Sequence, residues 1–193
     1  MYKRQIQKDY QLVSYLGRAN LSIFDKYLIT ASFRADGSSK FAKGNRWGYF
    51  PSASLAWRME QEEFMKNISW LSQLKIRVSY GVTGNQSIDP YSTFSMYGSN
   101  SNLYYADGSG NAQTAFTVTN LSNNSLKWEK TASWNAGLDF GLFNSRLSGT
   151  LDVYQKKTTD LLISRTLPGS AGFASTYYNC LLYTSDAADD LIG

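Results

Sequence analysis

Tyr27 to Trp57 reads YLITASFRADGSSKFAKGNRWGYFPSASLAW. Tyr27, Ile29, Ala31, Phe33 and Ala35 fall on one face of an extended chain. Leu28, Thr30, Ser32, Arg34 and Asp36 fall on the other. Side chains alternate faces along a strand, so the pattern describes a strand with an apolar face backed by a mostly polar one. The segment Lys26 to Asp36 matches the roughly 9–11 residues a tilted strand needs to cross a bilayer. A polar loop from Gly37 to Gly48, with Lys40, Lys43 and Gly44 inside it, joins this strand to a second alternating one. In that strand Tyr49, Pro51, Ala53, Leu55 and Trp57 share a face, and Ser52, Ser54, Ala56 and Arg58 oppose them. Pro51 cannot donate a ladder bond, so it belongs near the start of its strand.

Working outward, the same period recurs. The stretch from Tyr10 to Ile23 puts Gly17, Ala19, Leu21 and Ile23 on the apolar face. Phe24-Asp25-Lys26 turns the chain, setting Ile23 opposite Tyr27 and keeping the apolar faces together; a one-residue slip would reverse every side chain. Leu74, Ile76, Val78, Tyr80 and Val82 alternate with Lys75, Arg77, Ser79, Gly81 and Thr83. Ala132, Trp134, Ala136, Leu138, Phe140 and Leu142 form a fifth outward set. Leu147, Gly149, Leu151 and Val153 form a sixth, in a strand from Arg146 to Lys157. A two-residue turn at Asn144-Ser145 sets Leu142 opposite Leu147 and Leu138 opposite Leu151, although it lacks the Asn-Gly pair of the tightest hairpins. Between the third and fourth strands, Phe64, Ile68 and Leu71 repeat at helical spacing behind Glu60, Glu62 and Glu63, which predicts a short helix within Glu60 to Gln73. Gly84 to Leu126 is rich in Asn, Ser, Gly and Tyr and is expected to carry small strands near Phe94 and Phe116.

These six strands predict an all-β, antiparallel transmembrane barrel wall. No run approaches the ~18 apolar residues of a spanning helix, and the mean hydropathy is negative. Neither opposes a barrel, in which lipid-facing and lumen-facing residues alternate. A strand survives in lipid only when its edges are paired, which demands closure. The connections also alternate, compact at Phe24–Lys26, Glu60–Gln73 and Asn144-Ser145, long at Gly37–Gly48, Gly84–Leu126 and after Thr158. Short periplasmic turns and long extracellular loops are the outer-membrane pattern. A soluble antiparallel sandwich is the structural alternative, since its core strands alternate too.

The two ends read differently. Codons TGT CTC TTA TAC ACA TCT GAC GCT GCC GAC spell Cys180 to Asp189, and the opposite strand of the same transposase sequencing adapter spells Met1 to Gln5. Residues 1–5 and 180–193 are therefore expected to be adapter sequence, leaving 6–179 as the barrel segment, and are left out of fold reasoning. Without them the chain has neither Cys nor His, so thiol chemistry, disulfides and imidazole metal sites are excluded. Dropping Lys3, Arg4, Asp186, Asp189 and Asp190 moves the net charge from +4 to +5. That mild excess, without a block of like charge, does not argue for nucleic acid. Enzymatic readings fare poorly: a serine nucleophile lacks its usual base, the Glu60, Glu62 and Glu63 cluster sits in a first helical turn, and Asp107-Gly108-Ser109-Gly110-Asn111 lacks the spaced carboxylates of a calcium loop. No catalytic residue, metal or cofactor is expected.

The wording RADGSSKFAKGNRWGYFPS (Arg34 to Ser52) closely resembles the SusC/RagA family of TonB-dependent outer-membrane transporters of Bacteroidetes. The resemblance continues through FMKNISWLSQLKIRVSYGVTGNQ (Phe64 to Gln86), the stretch from Asn123 to Leu162, and LPGSAGF (Leu167 to Phe173). It implies a slice of a 22-stranded barrel that holds an N-terminal plug, pairs with a SusD-like lipoprotein, draws energy from the TonB complex and imports glycans or peptides. The plug, the TonB-contacting segment and the closing strand are not recognisable in this slice. On that reading the lipid-facing residues are Tyr27, Ile29, Phe33, Leu55, Trp57, Leu74, Ile76, Val78, Tyr80, Trp134, Leu138, Phe140, Leu147, Leu151 and Val153. The charged lumen-facing positions, for plug, polar solute or simply local ion pairs, are Arg34, Asp36, Arg58, Lys75, Arg77, Asp139 and Asp152. Trp47, Tyr97, Tyr104 and Tyr105 are the extracellular-loop contact candidates, because aromatic faces stack on sugars and anchor interfaces. A soluble extracellular β-domain binding carbohydrate through these tyrosine-rich loops is the alternative function.

Overall fold

The computed structural model describes residues 8–173 and 175–186. Nine strands are present among them: β1 (Leu12–Ile23), β2 (Tyr27–Ser38), β3 (Trp47–Arg58), β4 (Leu71–Asn85), β5 (Tyr97–Ala106), β6 (Ala112–Val118), β7 (Glu129–Leu142), β8 (Leu147–Thr166) and β9 (Ser175–Asp186). Seven form one antiparallel sheet in the order β1-β2-β3-β4-β7-β8-β9, and β5-β6 form a separate hairpin. The sheet is open, as a slice of barrel wall must be. It has one strand more than the six expected.

The expected register holds throughout. Ile23 pairs with Tyr27, Leu142 with Leu147 and Leu138 with Leu151. The first turn is closed by Lys26 N–H donating to the Ile23 carbonyl at 3.0 Å, with positive φ at Phe24 and Asp25. Arg146 N–H donates to the Phe143 carbonyl at 3.3 Å, with positive φ at Asn144 and Ser145. Both central residues left-handed is the signature of turns whose twist matches the flanking strands. Asn144 tolerates it without glycine.

Four expectations are corrected. No α-helix occupies Glu60 to Gln73: a single 3-10 turn (Met59–Gln61) is followed by hydrogen-bonded turns. One or two turns cannot repay helix nucleation without a surface to pack on, and Phe64 is well exposed. Trp47 belongs to β3 rather than the loop. It pairs with Gly37 and lays its indole across that glycine, which draws it into the ladder. β8 runs on to Thr166, beyond the expected end at Lys157. Outside the bilayer nothing demands apolar alternation, so the signal fades while pairing with β9 continues. Finally, β9 was not anticipated at all. Its second half, Cys180–Asp186, pairs with β8 although the sequence marks it as adapter-like; ladder bonds join backbone to backbone, whatever the side chains. Residues 1–5 and 187–193 lie outside the described residues.

The buried hydrophobic core among the described residues is small and lies at the long-loop end: Phe41, Phe50, Ile88, Leu126 and Trp128. Phe50 and Trp128 meet edge to face, with centroids 5.5 Å apart, and Trp128 Nε1–H donates to the Arg46 carbonyl at 2.9 Å. The Phe50 ring occupies the space a side chain would need at Gly48 or Gly84. Gly84→Ala in the full-length parent protein is expected to destabilise the barrel by about 1–3 kcal/mol through overpacking. The check is the temperature at which the detergent-solubilised barrel loses its heat-modifiable gel shift. Phe50→Leu in the same background should recover part of the loss, and no coupling between the two changes would contradict the packing account.

Candidate functional site

The wall has two faces, and the candidate residues divide between them. Across the register, Leu21, Ile29, Leu55, Val78, Ala136 and Val153 form one row on the outer face. All six are exposed. Ile23, Tyr27, Trp57, Ile76, Leu138 and Leu151 form the next row towards the short turns. Phe33, Trp134 and Leu147 are also exposed on this face, while Leu74, Tyr80 and Phe140 are half-buried against neighbours. None of the core residues comes from these positions. The face is thus a broad apolar surface with no protein partner among the described residues, of the kind that marks a membrane or protein contact.

Aromatic pairs bracket it. Tyr27 stacks on Trp57 near the short turns, with centroids 6.2 Å apart. Tyr15 stacks on Trp47 (5.9 Å) and Phe33 on Tyr49 (6.0 Å) towards the long loops. From Trp47 to Trp57 is ten steps of about 3.3 Å. With the strand tilt of roughly 35–45° found in such barrels, these span about 25 Å, the height of an outer-membrane apolar band. The band is staggered between strands. On β3 it runs from Trp47 to Trp57, whereas on β8 it runs from Leu147 to Val153, followed by outward Gln155 and Lys157. The row that starts at Trp57 therefore reaches mid-band at Leu138 and Leu151, as tilted strands require.

The inner face is polar, and each of its seven charged candidates is paired locally. Arg34 Nε donates to Asp36 Oδ2 at 2.8 Å, and Asp36 is buried. Arg58 Nε reaches Glu60 Oε1 at 3.1 Å. Lys75 Nζ lies 2.9 Å from Asp139 Oδ2, and Arg77 grips both oxygens of the same carboxylate at 3.0 and 2.9 Å. Arg77 also reaches Asp152 Oδ1 at 3.2 Å, and Thr150 Oγ1 donates to Asp139 at 3.2 Å. The bare Cα of Gly137, opposite both Arg77 and Asp152, leaves room for that bridge. Two cations and two carboxylates cancel, so this part of the wall offers ion pairs rather than a net charge to anything in the lumen.

The loop candidates separate. Trp47 sits on the outer face. Tyr97, Tyr104 and Tyr105 are exposed on the β5-β6 hairpin. Its tip is fixed by Asp107, whose Oδ1 accepts the N–H groups of Ser109 and Asn111 at 2.9 Å each. The Asn111 N–H, then the Gln113 amide and the Ser109 N–H, hold the Asp107 carboxyl below its usual range. The calcium-like reading of this loop gains nothing, since its carboxylate is spent on its own turn.

Sequence reasoning missed Glu62, assigning it only to a helix. Its carboxylate accepts from Lys26 Nζ at 2.9 Å, Tyr27 OH at 3.1 Å and Trp57 Nε1 at 3.2 Å. One acid thus ties the short-turn aromatic pair to the connecting segment. The Lys26 hydrogen bond, followed by those from Trp57 and Tyr27, lowers the Glu62 pKa, and the same bond raises that of Lys26. A lowered carboxyl pKa adds stability above its unfolded value that is lost on acidification. A raised lysine pKa adds stability that is lost on alkalinisation through its folded value. The contact is therefore complete from about pH 5 to about pH 10. Glu62→Gln in the full-length parent is expected to lower the melting temperature near neutrality, and the gap to the unsubstituted protein should close as acidification protonates Glu62 in the folded state. A gap independent of pH would show that charge on Glu62 contributes nothing.

A model of the family described as TonB dependent receptor-like, beta-barrel, matches residues 2–185. The TonB-dependent receptor SusC of Bacteroides thetaiotaomicron is 45% identical over 163 residues, covering 84% of this chain and 16% of that protein. The TonB-dependent receptor P26 of Formosa agariphila is 41% identical over 171 residues, 88% of this chain and 17% of that one. Among solved structures, the RagAB peptide importer in its closed-closed state superposes with a TM-score of 0.82 at 32% identity, over 92% of this chain and 19% of the other. The siderophore receptor PirA of Pseudomonas aeruginosa shares the fold alone, at 11% identity and a TM-score of 0.58. The chain spans about a sixth of the length of these curated relatives.

Proposed function

Because the chain belongs to the TonB-dependent receptor β-barrel family, we propose that it forms part of the wall of an outer-membrane active transporter that imports glycans or peptides with TonB-supplied energy. The wall lies in the outer membrane of a Gram-negative, Bacteroidetes-like cell. The short turns face the periplasm and the long loops face outward. The outer face touches acyl chains. The inner face lines the lumen, where its paired charges present a neutral polar surface to plug or cargo. A SusD-like lipoprotein is the expected outer partner, in keeping with the likeness to the two-component RagAB importer. TonB engages parts of the protein beyond this slice.

The observation that carries this reading is the staggered apolar band, about 25 Å high and bounded by Tyr27–Trp57 and Tyr15–Trp47. A soluble carbohydrate-binding β-domain would have to bury Ile29, Leu55, Val78 and Val153 in a private core, and all four are exposed. Leu138 and Leu151 are opposed in the register at mid-band. Leu138→Arg or Leu151→Arg should each cost about 2–4 kcal/mol against lipid. Each is expected to block outer-membrane assembly of the full-length parent, read as loss of the heat-modifiable species from the outer-membrane fraction. Arginine at the inward position Ser79 should assemble normally. Normal assembly of both outward variants would rule out the transmembrane wall.

A further inference from the structure

The β7–β8 turn is fastened to the segment that leads into β4. Phe143 N–H donates to the Trp70 carbonyl at 2.7 Å, and Ser145 N–H donates to Ser72 Oγ at 3.1 Å. Arg146 N–H closes the turn on the Phe143 carbonyl at 3.3 Å. These bonds hold Ser69, Trp70, Phe143, Asn144 and Arg146 around one concavity of about 450 Å³. Four of the five carry side-chain donors: the Ser69 hydroxyl, the Trp70 indole N–H, the Asn144 amide and the Arg146 guanidinium. None of these donors has a partner among the described residues, and no carboxylate lines the concavity. Arg34, Arg58 and Arg77 each hold a carboxylate, whereas Arg146 holds none. Converging unused donors around a fixed positive charge answer an anion, and the planar guanidinium matches two oxygens of a phosphate.

The place of this concavity in the wall selects the source of the anion. Leu71, Leu142 and Leu147 adjoin in the register and mark the short-turn limit of the apolar band on this side. Arg146 is the next residue beyond that limit, so its charge stands where apolar surface gives way to water. Two large rings flank it there, with Trp70 52% and Phe143 58% exposed. A free phosphate would leave both rings in water. A phospholipid would cover them with its glycerol esters and upper acyl carbons while its chains follow Leu147 into the band. We propose that this concavity is a binding site for a glycerophospholipid of the periplasmic leaflet, with the phosphate on Arg146 and the Trp70 and Phe143 rings against the glycerol region. The proposal rests on the reading of the chain as a transmembrane wall.

The test is native mass spectrometry of the full-length parent, purified in a neutral detergent, stripped of lipid and titrated with dioleoylphosphatidylethanolamine. Dioleoylglycerol, which lacks the phosphate, is titrated separately, and inorganic phosphate is added as a competitor. The first phospholipid adduct should form about tenfold or more tighter than the first dioleoylglycerol adduct. Arg146→Gln and Trp70→Ala should each weaken it by about tenfold, whereas Phe64→Ala, an exposed aromatic of the neighbouring connection, stays within about threefold. Because the Arg146 guanidinium has no partner within the chain, Arg146→Gln should melt with the unsubstituted protein when lipid is absent. Equal affinity for dioleoylglycerol, displacement of the lipid by millimolar inorganic phosphate, undiminished binding by Arg146→Gln, or a lipid-free melting loss in step with the binding loss would each overturn the proposal. All four leave the transmembrane wall standing, because acyl chains along the apolar band need no headgroup site. The wall fails separately, through normal outer-membrane assembly of the mid-band arginine variants.

Discussion

Hydrocarbon offers no partner for a backbone N–H or C=O, so every such group of a spanning strand must be paired within the protein. That constraint organises the rest of the chain. It forces neighbouring strands into continuous antiparallel ladders and leaves side chains to answer two different solvents on opposite faces. The register then has to be right everywhere at once, because a slip by one residue would put Arg77 and Asp139 into lipid and Ile76 and Leu138 into the lumen. The turns enforce it. Phe24 and Asp25 at one corner, and Asn144 and Ser145 at another, accept left-handed backbone so that apolar rows continue from strand to strand.

This explains why much of the fold was legible. Alternation needs only the sequence, and loop length then fixes which residues oppose one another. The features that could not be read are those in which a single tertiary contact outweighs a local pattern. The spacing of Phe64, Ile68 and Leu71 is helical. Glu60 and Glu62, however, are committed elsewhere: Glu60 accepts from Arg58 and from the Leu74 N–H at 3.3 Å, and Glu62 from the Tyr27–Trp57 pair. Both acids act as acceptors for strands they do not belong to. Trp47 follows a glycine-rich polar run and looks like loop, yet the vacancy over Gly37 and the ring of Tyr15 make a strand position better for it. The strand beginning at Ser175 has adjacent tyrosines, Tyr177 and Tyr178, one turned to the core and one to the outside. Its alternation therefore cannot be phased from sequence. The lumen charges were legible as positions but not as pairs, because which cation meets Asp139 depends on cross-strand register and on the missing side chain at Gly137.

The two ends of the wall are secured by different chemistry, in line with what surrounds them. At the short turns, one carboxylate gathers an ammonium, a phenol and an indole. At the long loops, Phe41, Phe50, Leu126 and Trp128 bury one another, with Gly48 and Gly84 giving up side chains to admit the Phe50 ring. Among the described residues, the middle has no buried core on its outer side.

That division bears on where a ligand site can be built. Mid-wall positions carry apolar rows on one face and ion pairs on the other, so altering one disturbs the apolar surface or the charge balance. The loops that cap the wall carry neither obligation, yet the small core beneath them gives a rigid base.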